Sequence, residues 1–224
     1  MKVVESLKNF LVKLLKLDDS YKISTDRSGD VIIRSESAAE KIKSTSLELH
    51  HNDWVSLNHI SCPKDKIINY VYSTETRCNG KIVSFVPFKK KGNGVQFLIR
   101  CEATPCWDYV NQVPSSFTGG VEKGESPLET VIRELKEEAG YTVNQNNVIS
   151  LGQVFGSKSS DTIYFLFGVD LTESQDPGMM TIESELEKSA YNVWVDINDS
   201  FEVSDSLFNC VCYRLLNFLK MVKD

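Results

Sequence analysis

Apolar and polar positions follow a strand-like pattern through most of the chain after Ser46 and a helical spacing at three places, which predicts a strand-rich protein with few helices. The strand-like runs are Leu47 to His50, Trp54 to Ile60, Ile67 to Tyr72, Ile82 to Phe88 and Val95 to Cys101. The Lys91-Gly92-Asn93-Gly94 turn joins the last two as a hairpin. Val148 to Phe155, Ile163 to Val169 and Tyr191 to Ile197 continue the pattern. A closing helix over roughly Asp205 to Val222 places Leu207, Phe208, Val211, Leu215, Phe218 and Leu219 in one stripe. Ahead of the strands, Val3, Val4, Leu7, Phe10, Leu11, Leu14 and Leu15 form another helical stripe. Tyr21 to Ser24 and Val31 to Arg34 flank an Arg27-Ser28-Gly29-Asp30 turn and read as a small hairpin. Residues 1–45 are thus expected to be a helical and hairpin appendage, and residues 46–224 the main domain with its own N-terminal strands.

The third helix carries signals at both ends. Ser126 can cap, Pro127 fits the first helical position, and Glu129 completes a capping box. Gly140 supplies the left-handed residue that commonly ends a helix, so the helix should run from Pro127 to Ala139. At 100° per residue Leu128, Val131, Ile132, Leu135 and Ala139 share a side suited to packing on a sheet, and Glu134, Glu137 and Glu138 stand opposite. Like charges three and four apart each destabilise an isolated helix by a few tenths of a kcal/mol, so the cluster needs a positive partner larger than Arg133 alone. Hard oxygen ligands crowded on a rigid element suit Mg²⁺ or Mn²⁺, above all when phosphate oxygens complete the shell. The competing reading is a solvated acidic face in which Arg133 pairs with Glu129 and Glu137.

Flanking residues separate the two. Gly119, Glu125, Arg133, Glu134, Glu137, Glu138 and Gly140 sit at the fixed spacing G-x5-E-x7-R-E-U-x-E-E-x-G-U, with Leu135 at the first bulky aliphatic position and Tyr141 in place of the second. At roughly 7% usage per residue type such a coincidence arises about once in 10⁸ starting points. The segment resembles the Nudix box. The resemblance implies an α/β/α sandwich with a mixed sheet, here preceded by an N-terminal helix and strands, and hydrolysis of a nucleoside diphosphate linked to another moiety. It implies Glu134, Glu137 and Glu138 as catalytic metal ligands, joined by the backbone of Gly119 or Gly120, with Glu125 and Arg133 as structural support.

The order of strands ahead of the box, including Trp54-Val55-Ser56-Leu57, resembles the ADP-ribose pyrophosphatase branch of that family. That branch builds dimers through such strands, which leaves room for a homodimer here. It tends to carry an Arg after the second hairpin strand, a Glu before the box and a Ser-Pro-Gly turn beyond it. The corresponding stretches read Arg100-Cys101-Glu102-Ala103, Ser115-Ser116-Phe117-Thr118 and Phe155-Gly156-Ser157. The branch places its catalytic base on a loop before a late strand, which maps to Glu183, Glu185 or Glu187, with Glu187 adopted; Glu134 or Glu138 is the competing base, and a solvated acidic loop the competing reading. Arg77 and Arg100 are candidate phosphate contacts, and Trp54, Trp107 and Tyr109 candidate stacking residues if they are not packed in the core.

Composition narrows the partners. The 224 residues carry 25 Lys and Arg against 31 Asp and Glu, a net charge of −6, so no global basic field recruits nucleic acid, although charge does not exclude a polynucleotide. A small nucleotide is the expected substrate. Lys8, Lys13 and Lys16 interrupt the first apolar stripe, which therefore makes neither a signal peptide nor a membrane span. Six cysteines without a C-x-x-C pair suit reduced thiols and a cytoplasmic location. Two functional classes remain: a hydrolase acting on a nucleotide sugar of ADP-ribose type, or on triphosphates, dinucleotides or capped RNA; and a sensor that keeps the fold without turnover.

Overall fold

The computed structural model of the chain describes residues 21–25, 31–35, 46–62, 67–92, 94–108, 111–175, 177–181 and 187–221. The helix expected over Val3 to Leu15 lies outside them, as do Glu183, Glu185 and Tyr109. The chain divides into two compact units, Met1–His51 with Leu57–Tyr72, and Asn52–Ser56 with Ser73–Asp224.

In the first unit β1 (Tyr21–Thr25) and β2 (Val31–Ser35) pair antiparallel from Tyr21 opposite Ser35 to Thr25 opposite Val31, the hairpin expected from the Ser-Gly turn. The strands β3 (Ser46–His51), β4 (Val55–Cys62) and β5 (Ile67–Glu75) form a three-stranded sheet in that order. Each runs beyond its predicted apolar run by one or more residues at an end, because backbone pairing continues past the last side chain that needs burial.

The second unit is built on a mixed sheet. Its elements are β6 (Lys81–Lys91), β7 (Gly94–Ala103), β8 (Gln112–Ser115), β9 (Phe117–Gly120), α1 (Pro127–Ala139), β10 (Val148–Phe155), β11 (Ile163–Asp170), β12 (Tyr191–Asp196), α2 (Ile197–Ser200) and α3 (Ser206–Met221). Strand order is β10-β11-β6-β7-β12, with β8 added to β7 and β9 to β6. The β11–β6 pair is parallel, and the pairs β10–β11, β6–β7, β7–β12, β7–β8 and β6–β9 are antiparallel. Central β6 is buried from Val83 to Phe88 on both faces, in keeping with an apolar run that only Ser84 interrupts.

Each face carries a helix. On one, Val131, Leu135 and Ala139 of α1 pack with Val83, Phe85, Leu98 and Phe117. On the other, Phe208, Val211 and Leu215 of α3 pack with Val86, Phe88, Phe97 and Ile99. This is the three-layered α/β/α arrangement with a mixed sheet. Helix α1 has the predicted limits: Ser126 and Glu129 form the capping box, and Gly140 closes the helix at φ 72°. The expected apolar stripe is corrected in detail, for Leu128 and Ile132 are partly exposed and Thr130 is buried in their place. Ile197, expected to end a strand, instead opens α2. Strands β8 and β9 were not expected, since Pro114, Gly119 and Gly120 break any alternation.

Candidate active site

The loop from β9 to α1 and the exposed side of α1 form one charged cluster centred on Arg133. Its Nε donates to Glu125 Oε1 at 3.1 Å and its Nη2 to Glu125 Oε2 at 3.2 Å. The same guanidinium reaches Glu134 Oε1 at 2.9 Å, Glu137 Oε2 at 3.0 Å and the Gly120 carbonyl at 3.3 Å. It thereby ties the loop to the helix and supplies counter-charge to two of the clustered glutamates. Glu129 takes no part, because its Oε2 accepts from Ser126 N at 2.8 Å in the capping box. Burial works against charge on Glu125, but the bonds from Arg133 and from Thr130 Oγ1 at 2.8 Å outweigh it and hold its carboxyl below the usual carboxylate range. Burial likewise disfavours the Arg133 cation, yet Glu125, Glu134 and Glu137 together push its pKa up. A Cβ at Gly119 would overlap the Glu134 carboxyl as it lies against β9, so a side chain there would have to displace that glutamate.

The last turn of α1 is held differently. Its free carbonyls are claimed from three directions: Thr181 N donates to Glu137 O at 2.8 Å, Gly178 N to Gly140 O at 2.9 Å, and both Arg100 Nη1 (3.1 Å) and Asn192 Nδ2 (2.8 Å) to Glu138 O. Arg100 also pairs through Nε with Glu102 Oε2 at 2.7 Å and lies 3.4 Å from Glu138 Oε1. The Glu138 side chain is 17% exposed, and its Oε2, shut off from solvent, has no hydrogen-bond partner among the described residues. Burial pushes the Glu138 pKa well above the carboxylate range; Arg100 opposes this, while Glu134, Glu102 and Glu187 reinforce it. An unsatisfied buried acceptor destabilises a fold by about 1–3 kcal/mol, so this oxygen is a local burden on the fold.

Glu134, Glu138 and Glu187 line one cleft of about 390 Å³ with Arg77, Glu122, Arg133 and the Gly119-Gly120 backbone. Glu137 does not line it and is turned to Arg133. At the mouth, Arg77 lies 4.1 Å over the Trp54 ring and its Nε donates to Glu75 at 2.9 Å. Arg100 is 3% exposed and enclosed behind Glu138, so the structure does not bring this expected phosphate contact to the cleft. Trp107, 57% exposed, borders a separate depression with Gln112, Pro114 and Asp205. Sequence reasoning did not single out Asn192, Glu102 or Thr130. Asn192 reaches another element, Glu102 pairs two residues back along its own strand, and Thr130 bonds the loop before the helix; only the strand register that sets Asn192 opposite Arg100 shows the first of them.

Among the described residues no three His, Cys, Asp or Glu side chains stand close enough to hold a metal ion as placed. The donor set nevertheless fits a divalent cation. Hard carboxylate oxygens lie on successive turns of one helix, the Gly120 carbonyl already faces a cationic group, and Glu138 Oε2 awaits a partner. The two arginines supply the positive charge that the acidic cluster requires.

Comparison with known proteins agrees with this geometry. A family model described as NUDIX domain matches residues 80–207, from the start of β6 into the first turn of α3. Among solved structures, a chain described as ADP compounds hydrolase aligns with a TM-score of 0.58 at 16% identity, over 79% of this chain and 92% of that one, a likeness of fold. No curated protein matches the sequence. No helix among the described residues is long and apolar enough to cross a membrane. Enzymes of the matched family generally use divalent cations and act on small nucleotide derivatives. With more than half of the chain inside the family match and the box residues gathered around one cleft, the chain belongs to the Nudix family and is a Nudix hydrolase.

Proposed function

We propose that this enzyme hydrolyses the diphosphate bond of a nucleoside diphosphate joined to a second moiety, of ADP-ribose type, with Mg²⁺ or Mn²⁺. The observation that carries the reading is the Glu138 carboxyl at the cleft wall, one oxygen buried without a partner, beside Glu134 and the Gly119-Gly120 backbone. A bound ion is one way in which a native fold accounts for such an unsatisfied group. Glu134, Glu137 and Glu138, with the Gly119 or Gly120 carbonyl, are the groups that would hold the cation. A cation bound there would polarise a phosphoryl oxygen and stabilise negative charge on the leaving phosphate.

The chain's own residues supply the rest. Arg133 and Glu125 hold the β9–α1 loop against the helix and so fix the distance between the Gly120 carbonyl and the glutamates. Arg77, at the cleft mouth, binds a phosphate oxygen of the substrate. A carboxylate oxygen of Glu187 takes the proton from the attacking water, whose oxygen bonds to phosphorus as the bridging P–O bond breaks. The products are a nucleoside monophosphate and the phosphorylated second moiety. The exposed Leu49, Leu57, Tyr70 and Val71 in the β3-β4-β5 sheet support a homodimeric assembly. The free thiols of Cys78, Cys101, Cys106, Cys210 and Cys212 suit a cytoplasmic enzyme.

The test is hydrolysis of ADP-ribose, other nucleotide sugars, NADH, dinucleoside polyphosphates, nucleoside triphosphates and capped RNA, each with Mg²⁺, with Mn²⁺ and with EDTA. Metal-dependent release of two phosphorylated products, fastest from ADP-ribose or a near relative, is the expected result. Faster turnover of triphosphates or capped RNA would move the substrate class. Binding without turnover of any compound would make the protein a sensor.

A further inference from the structure

The box motif accounts for the glutamates of α1 but not for what holds the turn that carries Glu138. Two strands converge on it. Arg100 on β7 and Asn192 on β12 are direct partners across an antiparallel pair, so their side chains leave the sheet on the same face, the one that α1 covers. Both donate to a single acceptor, the backbone carbonyl of Glu138, at 3.1 and 2.8 Å. That carbonyl lies in the last turn of the helix, where cations and donors are favoured by the helix dipole. Arg100 has a second reach, for its Nε stands 3.4 Å from Glu138 Oε1, on the same residue's side chain. The same Nε donates to Glu102 Oε2 at 2.7 Å, which restrains the guanidinium. Backbone and carboxyl of one residue are therefore both approached by one guanidinium, and Oε2 is left without a hydrogen-bond partner among the described residues.

We propose that Arg100 and Asn192 form a two-strand clamp that positions the Glu138 carboxyl for hydrolysis, a role apart from substrate contact. The inference rests on Glu138 acting in the cleft as described above. A purely structural cap would need only a donor to the carbonyl. The clamp needs the guanidinium fork, because one planar group must serve the carbonyl and the carboxyl together, and a lysine ammonium offers no such fixed pair of directions.

The experiment compares Arg100→Lys, Asn192→Ala and Glu138→Gln in the full-length protein. Four quantities are read: kcat and KM for the best substrate of the panel, the affinity for Mn²⁺ of the protein without substrate by electron paramagnetic resonance, and the folding midpoint. Residues that orient metal ligands change affinity or rate by about 10–100-fold. Arg100→Lys and Asn192→Ala should each lower kcat by about tenfold or more and weaken Mn²⁺ binding, with KM changed by less than about twofold. Charge retained in Arg100→Lys should keep the midpoint near wild type while the rate stays low. If Arg100→Lys does not fold, Asn192→Ala decides alone, since its bond to the carbonyl is independent. Wild-type kcat and Mn²⁺ affinity in Asn192→Ala and in any folded Arg100→Lys, with only the midpoint lowered, would overturn the clamp while leaving the functional reading intact. Full activity in Glu138→Gln would instead remove the reading on which the clamp depends.

Discussion

Two carboxyl groups lie buried on opposite faces of the same sheet, and they are treated in opposite ways. Asp205, 3% exposed, begins α3 with every direction satisfied: Oδ1 accepts from Leu207 N at 2.9 Å, and Oδ2 accepts from Ser116 N, Ser116 Oγ and Phe208 N at 2.9, 2.8 and 3.1 Å. Ser84 Oγ extends the network to Ser116 at 3.0 Å, so helix, loop and central strand share one closed set of bonds. Glu138 on the α1 face has a cation beside one oxygen and, among the described residues, no hydrogen-bond partner for the other. The first arrangement serves stability. The second leaves a carboxyl oxygen where a ligand can complete it, which is how a ligand-binding site differs from a core.

Replacing Glu138 should separate the two most widely. Glu138→Gln should lower kcat by at least about 10²-fold, since charge stabilisation at the phosphate is lost. In EDTA the same variant should be more stable than wild type at neutral pH. Burial raises the Glu138 pKa in the folded state, so its contribution to stability is complete below the unfolded carboxyl value of about 4.3 and is lost as pH rises through the raised value. Unfolding at pH 7.5 and in acid should accordingly show an advantage for the variant that shrinks in acid.

Next comes the anchor of the reactive helix. Leu135, wholly buried between α1 and the sheet, should destabilise the protein by about 2–5 kcal/mol on change to alanine. Asp205→Ala removes a helix cap and strands the amide and hydroxyl of Ser116, a loss of roughly 2–4 kcal/mol in urea unfolding. Its kcat per folded molecule should stay within about tenfold of wild type. A collapse of rate comparable to that of Glu138→Gln would erase the distinction between the two carboxyls. Smallest is Ser126→Ala, about 1 kcal/mol, since it takes away only the capping oxygen of α1.

How far these features could be read beforehand depends on the range of the interaction. The limits of α1 are written within its own residues, Ser126, Pro127, Glu129 and Gly140, and structure and expectation coincide there. Strand cores such as Ile82 to Phe88 were legible because burial on two faces leaves a nearly continuous apolar run, broken only by Ser84. The edge strands β8 and β9 were not, because Gln112–Ser115 and Phe117–Gly120 gain their pairing from β7 and β6 and show no pattern of their own. The same holds at the site. The acidic cluster is local to one helix and stood out, whereas the partners of Glu138 come from Arg100 and Asn192 on separate strands. A basic residue near a phosphate-binding motif suggests a phosphate contact, and only the packing shows that Arg100 faces the helix instead.

The proposed function rests on a divalent cation that Glu138 completes on the α1 face. Its most direct test is the thermal midpoint of EDTA-treated protein titrated with Mn²⁺ in the absence of nucleotide, in wild type and in Glu138→Gln. Binding to the folded state alone stabilises by about 2.7 kcal/mol at a hundredfold excess over Kd. The account predicts a saturable rise in the wild-type midpoint and a much weaker response in the variant. An unchanged wild-type midpoint, or an equal rise in both proteins, would contradict it.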